Sequence, residues 1–195
     1  MGEEARFRRA RVEDCGKIAA LYSISSDGVA DYIWRKLAGP GEDPLEVGER
    51  RYAREDSAFS YKNCVVAEHN GEVIGMLVAF PMETEPDPGE PEGREDPVLA
   101  PYGELERRGS YYLCGMALLP EHRGRGLGAR MLGLAREEAR RRGLAEMSLI
   151  VFEQNAGAKR LYERHGFREV DRRPVVPHEL IRYTGDALLM VADVA

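Results

Sequence analysis

The sequence predicts an α/β fold, in which strands alternate with helices, and three stretches predict it. Between Tyr111 and Leu119 runs an apolar segment bounded by Gly109 and Pro120, the pattern of a buried strand. It feeds Arg123-Gly-Arg-Gly-Leu-Gly128, after which Leu127, Met131, Leu134, Ala135 and Ala139 recur at helical spacing. A second strand and helix lie downstream. Leu149–Phe152 is apolar and β-branched, Asn155 suits an N-cap, and Ala158, Leu161, Tyr162 and His165 share a helix face that Gly166 ends. The third stretch is a hairpin, where β-rich runs at Asn63–Glu68 and Glu72–Phe80 flank the turn pair Asn70-Gly71.

The other elements follow in chain order. Ala5–Ala10 alternates weakly, a first strand leading through Val12-Glu13-Asp14 into a helix with Ile18, Ala19, Leu21 and Tyr22 on its apolar side. After a loop at Ser23–Gly28, Val29–Leu37 forms a short aromatic helix with Tyr32, Ile33 and Trp34, broken by Gly39-Pro40-Gly41. Pro44–Arg54 reads as a charged surface helix. Met82–Pro97 is dense in proline, glycine and acids and too poor in apolar residues to fold alone, so it is expected to be a mobile loop. Val98–Arg108 reads as a short helix delivering the chain to the central strand. Arg168–Pro174 and Ala187–Asp193 read as the last strands, and the segment between them, 174–186, is longer than a hairpin requires. No internal repeat and no second domain are visible, so one domain over 1–195 is expected.

Composition narrows the function. The 195 residues are 43% hydrophobic and 32% charged with a net charge of −6, which suggests one substantial core and no nucleic-acid partner. The charge is unevenly spread. Glu121–Arg142 holds seven arginines against three glutamates, whereas Glu83–Asp96 holds seven acids against Arg94 alone. Cys15, Cys64 and Cys114, and the histidines at 69, 122, 165 and 178, are scattered, so neither a disulfide framework nor a metal site is expected. Glu3 and Glu4 stand where a signal peptide would be basic, and no apolar run approaches the roughly 20 residues of a membrane span. A cytoplasmic location and no membrane partner are the expectation.

Strand, glycine turn and helix together aim backbone N–H groups at an anion. The helix N-terminus adds about half a positive charge, and Arg123 and Arg125 add full ones. A pyrophosphate is the expected ligand. Glycines at 124, 126 and 128 fall one residue short of the dinucleotide fingerprint G-x-G-x-x-G, and Gly128-Ala129-Arg130 is not the Gly-Lys-Ser/Thr ending of a P-loop. The pattern Arg123-x-x-Gly126-x-Gly128, preceded by Met116-Ala117-Leu118 and Pro120, resembles the coenzyme A pyrophosphate loop of the GNAT acyltransferase superfamily. Downstream, Asn155-x-x-Ala158-x-x-Leu161-Tyr162-x-x-x-Gly166-Phe167 is similar to the second half of that superfamily's acetyl-CoA site.

The resemblance implies a mixed, mostly antiparallel sheet flanked by helices, with the central strands splayed around the cofactor. Backbone groups along Met116, Ala117 and Leu118 would pair with the pantetheine arm of acetyl-CoA. Arg123, Gly124, Arg125, Gly126, Leu127, Gly128 and Ala129 would hold the pyrophosphate, and Asn155, Ala158 and Tyr162 would complete the cofactor site. Cys114-Gly115 is a place for the bulge that opens the sheet. The implied reaction is direct attack of an amine on the acetyl thioester, with the backbone N–H at Met116 or its neighbour polarising the carbonyl and Tyr162 as general acid. A phenol near pKa 10 stays protonated at neutral pH, and a leaving thiolate needs a proton.

The sequence departs from the pattern at the general base. Many relatives place a glutamate on the central strand, but Ser110–Leu119 contains no acid, and Tyr112 stands about where it would be. A water relay, Glu68, Glu72 or His178 remain as candidates. For the acceptor, the resemblance singles out Asp27, Tyr32 and Trp34 on the stretch between the first helices, Tyr112, and His178 with Arg182 and Tyr183 on the last long loop. Tyr32 and Trp34 read equally as packing aromatics, and the 82–97 insert as a solvated loop or a lid. The acceptor is expected to be an amine of a small molecule or peptide. The superfamily allows a homodimer, which no residue here marks. A coenzyme A-binding sensor or accessory module without acyl transfer is the reading from a different class.

Overall fold

The Asn70-Gly71 pair folds as the sequence predicts, with φ of 51° and 79°, the left-handed pair that a two-residue hairpin turn needs. It joins β2 (Cys64–His69) to β3 (Glu72–Pro81), and β1 (Arg6–Arg9) lies antiparallel on the far side of β2. From Val73 to Phe80 every β3 residue is buried, as befits an interior strand covered on both faces. The computed structural model describes residues 5–83 and 95–195. Most of the 82–97 insert therefore lies outside the described residues.

The remaining strands are β4 (Tyr111–Leu118), β5 (Glu146–Phe152), β6 (Arg168–Pro174) and β7 (Asp186–Asp193). The helices are α1 (Cys15–Ser25), α2 (Val29–Leu37), α3 (Pro44–Ala53), α4 (Ala100–Glu104), α5 (Leu127–Arg141) and α6 (Ala156–Arg164). One seven-stranded sheet runs in the order β1-β2-β3-β4-β5-β7-β6. The β4–β5 pair is parallel, while β1–β2, β2–β3, β5–β7 and β6–β7 are antiparallel, so the sheet is mixed and mostly antiparallel. The chain divides into two compact units, the described residues of Met1–Ala79 with Gly115–Gly128, and those of Phe80–Cys114 with Ala129–Ala195.

In the first unit, α1, α2 and α3 pack together around Ile18, Leu21, Trp34 and Tyr52, each at most 2% exposed. The third helix is therefore less superficial than its charge suggests, because Val47, Gly48 and Tyr52 turn one face inward. Asp43 caps it by accepting from the Leu45 N–H at 2.9 Å, and Pro44 supplies a preset φ at its start. In the second unit the core is built on β5 and β7, where Met147, Leu149, Leu188 and Met190 are at most 2% exposed. The expected helix at 98–108 shortens to α4, since Gly103 and the turn at Leu105 end it within five residues.

Candidate functional site

The parallel β4–β5 ladder pairs Tyr111 with Met147 and Tyr112 with Ser148, a short register for strands of eight and seven residues. A buried polar pair stands at this junction. The Ser110 and Ser148 hydroxyls lie 2.6 Å apart at 0% exposure, and Ser110 Oγ also donates to the Arg107 carbonyl at 2.6 Å. Buried hydroxyls are costly unless bonded, and these bond each other. Sequence reasoning missed the pair, although a serine immediately before each apolar run was the available signal.

Beyond Leu118 the chain makes a short turn at Pro120–His122 and reaches the glycine segment. Arg123, Gly124, Arg125 and Gly126 are all exposed, and Gly124 and Gly126 have φ of 74° and 77°. Nothing lies within 4 Å of where a Cβ would stand on either glycine, so conformation rather than room requires them. Arg123 Nε donates to the Leu118 carbonyl at 3.0 Å, and Arg125 Nη2 donates to the Glu121 carbonyl at 3.1 Å. Both guanidinium groups are thereby tied beside the turn. Leu127 and Gly128 open the 15-residue α5, with Ala129 half-buried in its first turn. Exposed backbone, two left-handed glycines, two arginines and a helix N-terminus make a donor set that fits a pyrophosphate. On β4, Ala117 is buried, and Met116 and Leu118 are half-buried.

In the second unit, Asn155 caps α6 as its identity predicts, accepting from the Ala158 N–H at 3.3 Å. One turn further on, Tyr162 is half-buried, and its ring meets Phe167 edge-on at 5.8 Å. The Tyr162 carbonyl accepts from the N–H groups of His165 and Phe167 at 2.9 and 3.1 Å. Arg136 of α5 donates through Nη2 to the His165 carbonyl at 2.7 Å, clamping the turn that follows Tyr162. That clamp has no signature in the sequence.

The residues expected around the acceptor separate on inspection. Asp27 adopts φ of 50°, uncommon for a residue with a side chain, beside Gly28 at 100°. Tyr32 is half-buried under Lys36, whose Nζ stands 5.3 Å above the ring. Trp34 is 2% exposed and presses on Gly48, where a Cβ would lie 2.7 Å from Trp34 Cη2. Trp34 is thus a packing residue, and its covered ring presents no surface to an acceptor. Tyr112 packs edge-on against Phe80 at 5.7 Å, and desolvation holds its phenol well above the ordinary value. His178 Nδ1 accepts from the Leu180 N–H at 3.2 Å, so in the neutral ring Nε2 carries the proton. Among the base candidates, Glu68 is engaged by Arg8 at 2.7 Å and by Arg6 at 2.6 Å, and these cations lower its pKa. Among the described residues, no group of three or more His, Cys, Asp or Glu side chains could hold a metal, and no helix is long and apolar enough to cross a membrane.

Comparison with known proteins meets this geometry from outside. The model of the acetyltransferase (GNAT) family matches residues 30–167. A mycothiol acetyltransferase of Parafrankia sp. (strain EAN1pec) is 36% identical over 149 residues, which cover 76% of this chain and 42% of that protein. The chain spans about half the length of the curated relatives it matches. Among solved structures, an acetyltransferase crystal structure superposes with a TM-score of 0.69 at 24% identity, covering 97% of this chain and 100% of the other. The yncA protein of Salmonella typhimurium, solved with its cofactor acetyl-CoA, gives 0.62 at 22% identity, covering 99% and 95%. At those identities the structures speak for the fold, and the family match extends over most of the chain. With its model matching residues 30–167, most of the chain, the acetyltransferase (GNAT) family is the one to which this chain belongs.

Proposed function

We propose that the chain is an N-acetyltransferase, a single domain over 1–195 working in the cytoplasm, which moves an acetyl group from acetyl-CoA to an amine. The observation that carries this reading is the turn Arg123–Gly126, whose exposed backbone is shaped by two left-handed glycines and flanked by two arginines. In the proposal Met116, Ala117 and Leu118 bind the pantetheine arm, Arg123 to Ala129 bind the pyrophosphate, and Asn155, Ala158 and Tyr162 complete the cofactor site.

Acetyl-CoA supplies, when bound, a thioester already activated toward an amine. The protein's own part is then small and definite. The Met116 N–H donates to the carbonyl oxygen as negative charge grows there. Tyr162 Oη yields its proton to the departing sulfur. The amine nitrogen bonds to the carbonyl carbon, the carbon–sulfur bond breaks, and the amine's surplus proton passes to a base. Tyr112 is no candidate for that base, because its phenol is held protonated by desolvation. Glu68, already paired to two arginines, is a poor one. Glu72, His178 and water remain.

Asp27, Tyr32, Tyr112 and His178 are the proposed acceptor contacts, with Trp34 acting from behind through its packing. Identity to a protein named for mycothiol puts small-molecule amines first in a screen and peptide amines second. The absence of any carboxylate on β4 favours the second reading, a coenzyme A-binding module without transfer. A melt with acetyl-CoA, alongside NAD and ATP, tests the cofactor. Stabilisation by acetyl-CoA alone supports the reading, and equal shifts with all three would reduce the turn to a generic phosphate site. Thiol release across an amine panel then separates enzyme from module.

A further inference from the structure

One contact in the first unit is tighter than packing alone explains. A Cβ built on Gly115 would stand 2.6 and 2.8 Å from Tyr22 Cε2 and Cδ2 and 2.9 Å from Ser25 Oγ, closer than real Cβ atoms come. The ring at fault is held in place. Tyr22 meets Tyr52 at 5.3 Å and Trp34 at 6.2 Å between centroids, and Trp34 is itself pressed against Gly48. A continuous row results, from Gly48 of α3 through Trp34 of α2 and Tyr22 of α1 to Gly115 of β4, with a missing side chain at either end. Tyr52 and Trp34 are 1% and 2% exposed, so the row has no slack on the helix side. Gly115 does not have positive φ, so the ring's approach, not an unusual backbone conformation, requires a glycine here.

We infer that Tyr22 is a positioning residue, whose ring edge fixes the course of β4 at Gly115 and so aims the next N–H, that of Met116. The inference rests on the proposed role of Met116 as the donor to the thioester carbonyl. Tyr22 touches neither cofactor nor acceptor in this account and acts only through the strand. The role is assigned to the ring edge, which separates it from acid–base chemistry.

The test uses the full chain and two ligands that differ by the acetyl group. Only acetyl-CoA offers the thioester carbonyl, so wild-type protein should bind it more tightly than coenzyme A. One neutral hydrogen bond corresponds to a margin of roughly two- to tenfold. Calorimetry on Tyr22→Ala should show that margin lost while coenzyme A affinity stays within about twofold, and the Met116 amide resonance should move. Tyr22→Phe should keep both the margin and the resonance. Gly115→Ala should lose the margin too, and adding Tyr22→Ala to it should restore part, since the new methyl then has room. Tyr22→Leu, which fills more of the space, gives the same reading if the alanine variant does not fold. An unchanged margin and amide in Tyr22→Ala or Tyr22→Leu overturns the inference, as does a Tyr22→Phe that behaves like alanine or a double variant no better than Gly115→Ala. Wild-type protein that binds acetyl-CoA and coenzyme A equally overturns the Met116 contact itself. Wild-type protein that binds neither overturns the cofactor reading together with everything built on it.

Discussion

A half-buried tyrosine on α6 carries the sharpest chemical expectation. Replacing Tyr162 by Phe removes one hydroxyl and leaves the edge contact with Phe167 in place. Turnover should fall by about 100-fold or more, with the KM for acetyl-CoA nearly unchanged, as steady-state thiol release will show. Turnover that survives the substitution would take the proton donor's role away from Tyr162. A second expectation concerns acid. Arg8 holds the Asp14 carboxylate below its ordinary 3.8, and Arg8 followed by Arg6 holds Glu68 below 4.5. Groups whose folded pKa is depressed lend stability that is complete above the unfolded value and is lost as pH falls through the folded one. Melting temperature should therefore drop below about pH 4.5, and less steeply in Asp14→Asn than in wild type. Identical acid limbs in the two proteins would mean that the Arg8 pair contributes nothing measurable.

At the scale of elements, the glycine turn and the Gly48–Trp34 contact fail for different reasons. Gly124→Ala and Gly126→Ala meet no neighbour, yet each puts a side chain at φ near 75°. Each should cost about 1 kcal/mol in denaturant unfolding and should weaken acetyl-CoA binding beyond that, because the turn must relax away from its anion-binding shape. Gly48→Ala is the steric counterpart. Its methyl would collide with a buried indole, and a loss of about 1–3 kcal/mol with little change in coenzyme A affinity is expected. Equal effects on affinity from both kinds of substitution would contradict the assignment of the turn. The sequence discloses the turn well, because glycine spacing, arginines and a following helical period are local signals. It discloses Asn155 as a cap and Asn70-Gly71 as a hairpin for the same reason. Contacts between elements distant along the chain are different. Nothing local to Tyr22 points to Gly115, nothing local to Arg136 points to His165, and the sequence leaves Trp34 open as acceptor contact as well as packing aromatic until α3 is seen against it.

For the molecule as a whole, the comparison to make first is a thermal melt with acetyl-CoA. At roughly 100 times the dissociation constant, stabilisation of about 2.7 kcal/mol should raise the midpoint by roughly 5–10 degrees. The fold class was legible because strand, turn and helix signals alternate along the chain; that the sheet is mixed and mostly antiparallel came through the family resemblance, and its order β1-β2-β3-β4-β5-β7-β6 only from the structure. The acceptor was not legible, since the loops that would meet it carry no periodicity. One border of the sheet is unlike the rest. Its last strand, β6, is Arg-Glu-Val-Asp-Arg-Arg-Pro, almost wholly exposed, with an irregular register between Glu169 and Asp171 and a proline at its end. Arg172 and Arg173 are tied sideways to Glu169, Asp186, Asp171 and Glu104. A neighbouring strand that docked there would have to break this lattice of ion pairs, follow a kinked backbone and forgo one amide donor. That border of the sheet is poorly suited to strand addition, so crowded or concentrated protein should stay free of strand-to-strand polymers there.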